Sequence, residues 1–228
     1  MGTGEKAWTG ALAANPTVYD IDGFDNPAGT ITALRARGDR VICYIEVGAA
    51  ESYRPDYGQF PKVALGKAVP GYPEERYVDL SNPAVSTVIR ARITMCHDKG
   101  FDAVEPDIDD SYSDDNGFHL TETENVAYDR ALAAYAHSLG LAWGQKNGDA
   151  DQSFAAQVST FADFLLDEQC FEFDTCSVVG APYLQQGKAV FEVEYNIPTS
   201  AFCRQANALG FDSERMNVAL AGGRQPCR

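Results

Sequence analysis

The chain has 228 residues, 45% hydrophobic and 22% charged, enough for one sizeable core and short for two, so a single domain over 1–228 is expected. The net charge of −15 and a pI near 4.5 exclude nucleic acid and anionic membrane as partners, because both require clustered Lys and Arg to displace counterions. No apolar run approaches the roughly 20 residues that cross a bilayer, so membrane insertion is not expected.

The opening Met1-Gly2-Thr3-Gly4-Glu5-Lys6 has no apolar h-region, and a weak first strand is expected near Trp8–Leu12. Val18-Tyr19-Asp20-Ile21 predicts a second strand, followed by a helix over Thr30–Arg37 that Gly38 terminates. Val41-Ile42-Cys43-Tyr44-Ile45 is the next strand. The Tyr-, Pro- and Gly-rich stretch Gly48–Tyr77 reads as a long inserted loop after that strand's C-terminal end, where barrel active sites are built. Asn82-Pro83 opens a helix running to Gly100, and Ala103-Val104-Glu105 continues the strands. Thr121 to Glu124 forms a capping box for a helix that reaches Gly140. Four more strands are predicted: Leu141-Ala142-Trp143-Gly144, Phe164-Leu165-Leu166, Ala189-Val190-Phe191-Glu192-Val193 and Val218-Ala219-Leu220.

Near-continuous apolar strands suit a parallel sheet buried on both faces, and their alternation with helices predicts an α/β fold. A helix, a Gly and then a strand recur at Gly38, Gly100 and Gly140. The strand count reaches eight, which favours a single closed (β/α)8 barrel of the TIM type over an open sheet. The six cysteines form no CxxC pair and have no metal-ligand spacing, so three disulfides in an oxidising compartment are expected. The pairing we favour is Cys43–Cys96 between neighbouring elements, Cys170–Cys176 as a loop staple and Cys203–Cys227 at the C-terminus. Free buried thiols are the alternative. The protein is therefore expected to be exported, its signal standing outside this sequence.

In such a barrel the last residues of each strand point at the catalytic rim. Those ends carry Asp20 and Asp22; Tyr44 and Glu46; Glu105, Asp107, Asp109 and Asp110; Lys146 and Asn147; Asp167 and Glu168; Glu192, Glu194 and Tyr195. Only His97, His119 and His137 occur, and neither GxSxG nor HExxH is present, which argues against Ser–His and zinc hydrolases. Carboxylate-pair chemistry remains, and its commonest use is glycoside hydrolysis. One carboxylate attacks while a second, kept protonated, assists the leaving oxygen. Asp107 is the candidate nucleophile and Glu168 the candidate acid/base, although spacing alone does not single them out. The run Asp107–Asn116 fails the EF-hand pattern in every frame, so no cofactor is expected, with an irregular calcium site as the alternative. Lys146 at a strand end leaves a Schiff-base aldolase open as another.

These segments resemble glycoside hydrolase family 114, the endo-α-1,4-polygalactosaminidase family of (β/α)8 barrels. The likeness rests on Val18-Tyr19-Asp20-Ile21-Asp22, Val41-Ile42-Cys43-Tyr44, Tyr53-Arg54-Pro55-Asp56 and Tyr77 to Val85. It continues through Gly100 to Asp107, Lys146-Asn147, Asp167-Glu168-Gln169-Cys170 and Val190 to Tyr195. The resemblance implies hydrolysis of α-1,4-linked galactosamine polymers by a nucleophilic Asp and an acid/base Glu, roles that fall on Asp107 and Glu168. Asp110 stands in reserve, and Asp20, Asp22, Tyr44, Glu46, Glu105, Asp110, Lys146, Asn147, Glu194 and Tyr195 are expected to shape the sugar sites. The partner is thus a polysaccharide, cationic when de-N-acetylated, met by a monomer that retains anomeric configuration. A non-catalytic carbohydrate-binding barrel is the alternative from another class. Two positions depart from the family's habit: Ile108 replaces the usual Asn, and Ala49-Ala50 stand where a Trp is common.

Overall fold

A computed structural model describes residues 18–148, 151–220 and 222–228. Its elements are β1 (Val18–Asp22), α1 (Ala28–Ala36), β2 (Arg40–Glu46), β3 (Ala49–Glu51), β4 (Leu65–Val69), β5 (Tyr72–Val78), α2 (Pro83–Lys99) and β6 (Ala103–Asp107). They continue with α3 (Glu122–Ser138), β7 (Ala142–Lys146), α4 (Gln152–Val158), β8 (Phe164–Glu168), α5 (Cys176–Val179) and α6 (Ala181–Gln185). The chain closes with β9 (Ala189–Glu194), α7 (Thr199–Leu209), β10 (Asp212–Arg215) and β11 (Gln225–Pro226).

The main sheet runs β1-β2-β6-β7-β8-β9-β10-β11, parallel throughout except for antiparallel β11. Alternate side chains separate two apolar layers. Val41, Cys43, Ile45, Val104, Trp143, Leu165 and Val190 face the helices in the main core with Ile31, Ile89, Leu132 and Phe202. The opposite side chains, Val18, Ile42, Ala103, Ala142, Phe164 and Phe191, pack in one cluster. A flat sheet would hold β1 and β9 about 24 Å apart at roughly 4.8 Å per strand. The sheet instead curls, as in a TIM barrel, and its inner-face side chains from β1 to β9 form one connected cluster. The strand expected near Trp8–Leu12 lies outside the described residues.

Helix boundaries follow the local chemistry. The Asn82 side chain accepts from Ala84 N, and Pro83 occupies the first turn of α2. Gly100 ends that helix at φ 90°, a conformation glycine adopts without strain. The Thr121–Glu124 capping box is fully formed. All three favoured disulfides are present: Cys43–Cys96 joins β2 to α2, Cys170–Cys176 staples the loop after β8, and Cys203–Cys227 ties α7 to the last residues. Among the described residues no helix is long and apolar enough to cross a membrane.

Two expectations are corrected. Val218-Ala219-Leu220 is not a strand; Gly210, at φ 85°, ends α7 and returns the chain to the sheet at once, so the last parallel strand is Asp212–Arg215. By Val218 the chain has left the sheet, and that side chain is exposed. The Gly48–Tyr77 insertion is ordered as a three-stranded antiparallel sheet, β3-β5-β4, whose β4–β5 hairpin turns at Pro70-Gly71. This small sheet lies beside the barrel mouth. At Gly48 an added Cβ would stand 1.9 Å from the Ile108 carbonyl oxygen, so only glycine lets the insertion leave the rim at this point.

Candidate active site

The C-terminal ends of β6, β7 and β8 each finish with a functional side chain followed by a residue in the left-handed region: Asp107 then Ile108 (φ 56°), Lys146 then Asn147 (φ 51°), Glu168 then Gln169 (φ 60°). This sharp corner turns the chain outward and leaves the preceding side chain at the barrel mouth. Asn tolerates that conformation far better than a β-branched residue. The position where the resembled family carries Asn is therefore one where Ile is strained. Ile108 packs against Ala49, Val69 and Tyr77 of the insertion, which offsets part of that cost.

Lys146 stands at the centre. Its side chain is 2% exposed, and Nζ lies 3.0 Å from Glu105 Oε1, 3.3 Å from Asp107 Oδ1 and 3.5 Å from Glu168 Oε2. Because one Nζ touches both, those Asp107 and Glu168 oxygens are within about 7 Å of each other. Burial alone would lower the Lys146 pKa, but Asp107 and Glu105 more than reverse this and hold the amine charged. The free amine that Schiff-base chemistry needs is thereby removed.

The two carboxyls of the pair differ in surroundings. The Tyr44 hydroxyl donates to Asp107 Oδ2 at 2.8 Å. Burial pushes the Asp107 carboxyl up, yet Lys146 and the Tyr44 hydrogen bond bring it below the ordinary carboxylate value. The Tyr195 hydroxyl donates to Glu168 Oε1, and Asn147 Oδ1 accepts from Glu168 N at 2.9 Å, fixing the strand end. Both side chains keep 21% exposure, so each is held from below and open to the mouth. Asp20 lies beside Glu105, and burial followed by repulsion from Glu105 raises its pKa well above the usual range.

The other expected sugar contacts divide by depth. Tyr44, Glu46 and Glu105 are buried beneath the mouth and reach it through Asp107, Glu75 and Lys146 respectively. Asp110 and Tyr195 are half-buried at the rim. Asp22 and Glu194 are fully buried and engaged by the protein itself. Asp22 is fully buried, accepting from Phe24 N, Asp25 N and the Arg54 guanidinium. Fully buried Glu194 accepts from Phe171 N and Glu172 N and so fixes the loop after β8. In the acidic run after Asp107, Asp109 is buried and accepts from Lys146 N, while exposed Asp115 pairs with Lys67. Among the described residues no three His, Cys, Asp or Glu groups converge as metal ligands.

Residues beyond the nominated site complete the surroundings. Arg92, 1% exposed, grips Asp56 with two nitrogens and Glu51 with a third contact; Arg54 bridges Glu51 to Asp22. These pairs anchor the inserted sheet to the barrel. Glu75 on β5 shares a hydrogen bond with Glu46, and burial, then repulsion from Glu51 and Asp107, bring it up to about 7 despite that bond. Tyr53 donates to Glu51 and Glu75 and keeps 48% exposure. Glu75 was hidden because the insertion read as a loop, although Pro70-Gly71 marked a hairpin.

A pair of unlike carboxyl groups at the open end of a parallel barrel is the equipment of a glycoside hydrolase. Residues 9–228 match the model of glycoside-hydrolase family GH114, and the chain belongs to that family. The crystal structure of Aspergillus fumigatus Ega3 in complex with galactosamine superposes with a TM-score of 0.90 at 30% identity, covering 97% of this chain and 92% of that one. The glycoside hydrolase domain of PelA from Pseudomonas aeruginosa shares the fold, with a TM-score of 0.69 at 14% identity and 96% of each chain covered. An uncharacterized protein of Deinococcus radiodurans is 32% identical over 124 residues, 53% of this chain and 40% of that relative's length.

Proposed function

We propose that this family member is an exported endo-glycosidase that cleaves α-1,4-linked galactosamine polymers with retention of configuration. The observation that carries this reading is the Lys146 bridge, with Asp107 Oδ1 at 3.3 Å and Glu168 Oε2 at 3.5 Å from one ammonium. That triangle accommodates the separation of about 5–5.5 Å used by retaining enzymes and falls short of most of the inverting range of about 6.5–9.5 Å. The likeness to Ega3, whose crystal structure holds galactosamine, supports the sugar. So does the acidic mouth, since polymer lacking N-acetyl groups is cationic. The disulfides support an oxidising destination.

In this mechanism Asp107, kept ionised by Lys146 and Tyr44, attacks the anomeric carbon. The glycosidic bond breaks as Glu168 gives its proton to the departing oxygen, leaving a glycosyl ester on Asp107. Glu168, now a carboxylate, takes a proton from water, whose oxygen displaces Asp107 and restores both groups. Lys146 and Tyr44 are positioning residues for the first step, and Tyr195 and Asn147 for the second.

The test is incubation of wild type, Asp107→Asn and Glu168→Gln with galactosamine, glucosamine and neutral polymers, reading reducing ends and product masses. Wild type should fragment the galactosamine polymer, and each variant should lose at least about 100-fold while keeping its circular dichroism. Wild-type turnover by either variant removes that residue from the mechanism. Cleavage of a neutral polymer in preference overturns the substrate.

A further inference from the structure

The inserted sheet turns one face to the barrel mouth. Directly paired residues of an antiparallel ladder share a face, and the pairs here include Ala49 with Tyr77, Glu51 with Glu75 and Val69 with Tyr72. Ala49, Val69 and Tyr77 pack on Ile108, so this face meets the corner that follows Asp107. Two rings at its margins stay in water: Tyr53 is 48% exposed and Tyr72 is 53% exposed. Tyr53 is nonetheless held fast. Its hydroxyl donates to Glu51 and Glu75, and the Arg54 guanidinium lies 5.1 Å from the ring centroid, so its orientation is fixed without the ring being covered. Each ring stands near one carboxyl of the catalytic pair. Glu75, which Tyr53 contacts, shares a hydrogen bond with Glu46, the register neighbour of Asp107. Tyr72 opens β5 at the hairpin turn and reaches the neighbourhood of Tyr195, the residue that holds Glu168. Burial, then repulsion from Glu105, Asp107 and Tyr72, raises the pKa of the Tyr195 hydroxyl.

We infer that this face is a wall of the cleft that receives the polymer, and that the exposed Tyr53 and Tyr72 rings are platforms for sugars flanking the one being cut. The inference rests on the function proposed above, since an endo-acting enzyme holds sugars on both sides of the bond it cleaves. A pyranose presents an apolar C–H face that an aromatic ring covers, while the polar edge of the sugar stays in water. A ring whose orientation is already fixed loses little further freedom when the sugar arrives, so most of the contact appears as binding. The wall is anchored as well. Arg92 of α2 grips Glu51 and Asp56, and Arg54 grips Asp22 at the end of β1, so the platforms keep their distance from the carboxyl pair. Contacts made away from the reacting bond raise kcat/KM for a long substrate and do nothing for one too short to reach them.

The experiment measures kcat/KM on α-1,4-linked galactosamine oligosaccharides of increasing length and reads the ratio of the longest to the shortest one cleaved. A ratio taken within one protein cancels any loss of folded material. In wild type kcat/KM should climb with length as the outer sugars reach the rings. Tyr53→Ala and Tyr72→Ala should each lower the ratio by roughly three- to tenfold, the worth of one aromatic contact. Tyr53→Phe and Tyr72→Phe, which keep the rings, should restore it. A flat wild-type profile overturns the inference, as does an unmoved ratio in either Ala variant. A Phe variant as impaired as its Ala counterpart assigns the effect to the hydroxyl and also overturns it. Absence of cleavage at every length overturns the galactosamine substrate itself, and the wall falls with it; a length profile that the Ala variants leave intact overturns the wall alone.

Discussion

Replacing Lys146 with Met keeps the length of the side chain and deletes the one charge among the described residues that touches Glu105, Asp107 and Glu168 together. At 3.3 Å and an effective dielectric of about 20, the pairing with Asp107 is worth about 5 kcal/mol. Asp107 keeps 21% exposure, so water replaces a good part of this, and about 2–3 kcal/mol of lost stabilisation of the carboxylate is the working figure. That amounts to roughly a 30- to 150-fold smaller ionised fraction on the acidic limb, at 1.36 kcal/mol per tenfold. The sign follows from the native carboxyl lying below its ordinary value: without Lys146, burial and the neighbouring acids dominate, Asp107 holds its proton longer, and activity dies away at higher pH. The assay is the pH profile of kcat/KM on a galactosamine oligosaccharide, which reports the free enzyme's groups. Wild type and variant should diverge most in acid and converge toward alkaline pH. A uniform loss at every pH, or an unmoved acidic limb, refutes Lys146 as the group that keeps Asp107 ionised.

Three further outcomes are expected. Cys43→Ala with Cys96→Ala opens a loop with a sequence separation of 53, so chain entropy predicts a loss of about 4 kcal/mol, read from the urea midpoint; an unchanged midpoint would show that the cross-link constrains nothing. Gly48→Ala drives a Cβ into the Ile108 carbonyl and must displace the Asp107 corner, and since a shift of about 1 Å costs on the order of 100-fold, kcat should fall by about 10-fold or more; full activity would mean that the corner yields freely. Glu75 has a folded pKa of about 7 against an ordinary 4.5, so its contribution is present below about pH 4.5 and lost as pH rises toward 7, on the order of 3 kcal/mol. Thermal melts should therefore favour mildly acidic buffer, and Glu75→Gln should flatten the decline between pH 5 and about 8; an equally steep decline in the variant assigns it to other groups.

What could be read in the sequence was whatever depended on local chemistry. The phrase of helix, glycine and strand placed β2, β6 and β7, and it occurs again at Gly187, before β9, and at Gly210, where it marks the true last parallel strand better than the apolar Val218-Ala219-Leu220. The insertion was misjudged because β5 is largely polar and exposed on one face, leaving Pro70-Gly71 as its main signal. At the rim, strand ends placed Asp107, Lys146 and Glu168 among the many candidates without singling them out, and the fold gathers the two carboxylates around the Lys146 ammonium. Depth was not legible. Asp22 and Glu194 have the same chemistry in sequence as Asp107 and Glu168, but backbone N–H groups bind Asp22 Oδ1 and Glu194 Oε1, joined at Asp22 by Arg54. Contacts between distant segments decide that, and period-two alternation within a strand carries no information about them.

The central claim is that Asp107 forms the bond to the sugar while Glu168 handles the proton. It is tested most directly by incubating Glu168→Gln with α-galactosaminyl fluoride, whose fluoride leaves without an acid, and mapping the digested protein by mass spectrometry. The account predicts a gain of one galactosaminyl unit on the peptide containing Asp107. Modification of another side chain, or release of β-configured galactosamine with Asp107 never modified, would contradict it.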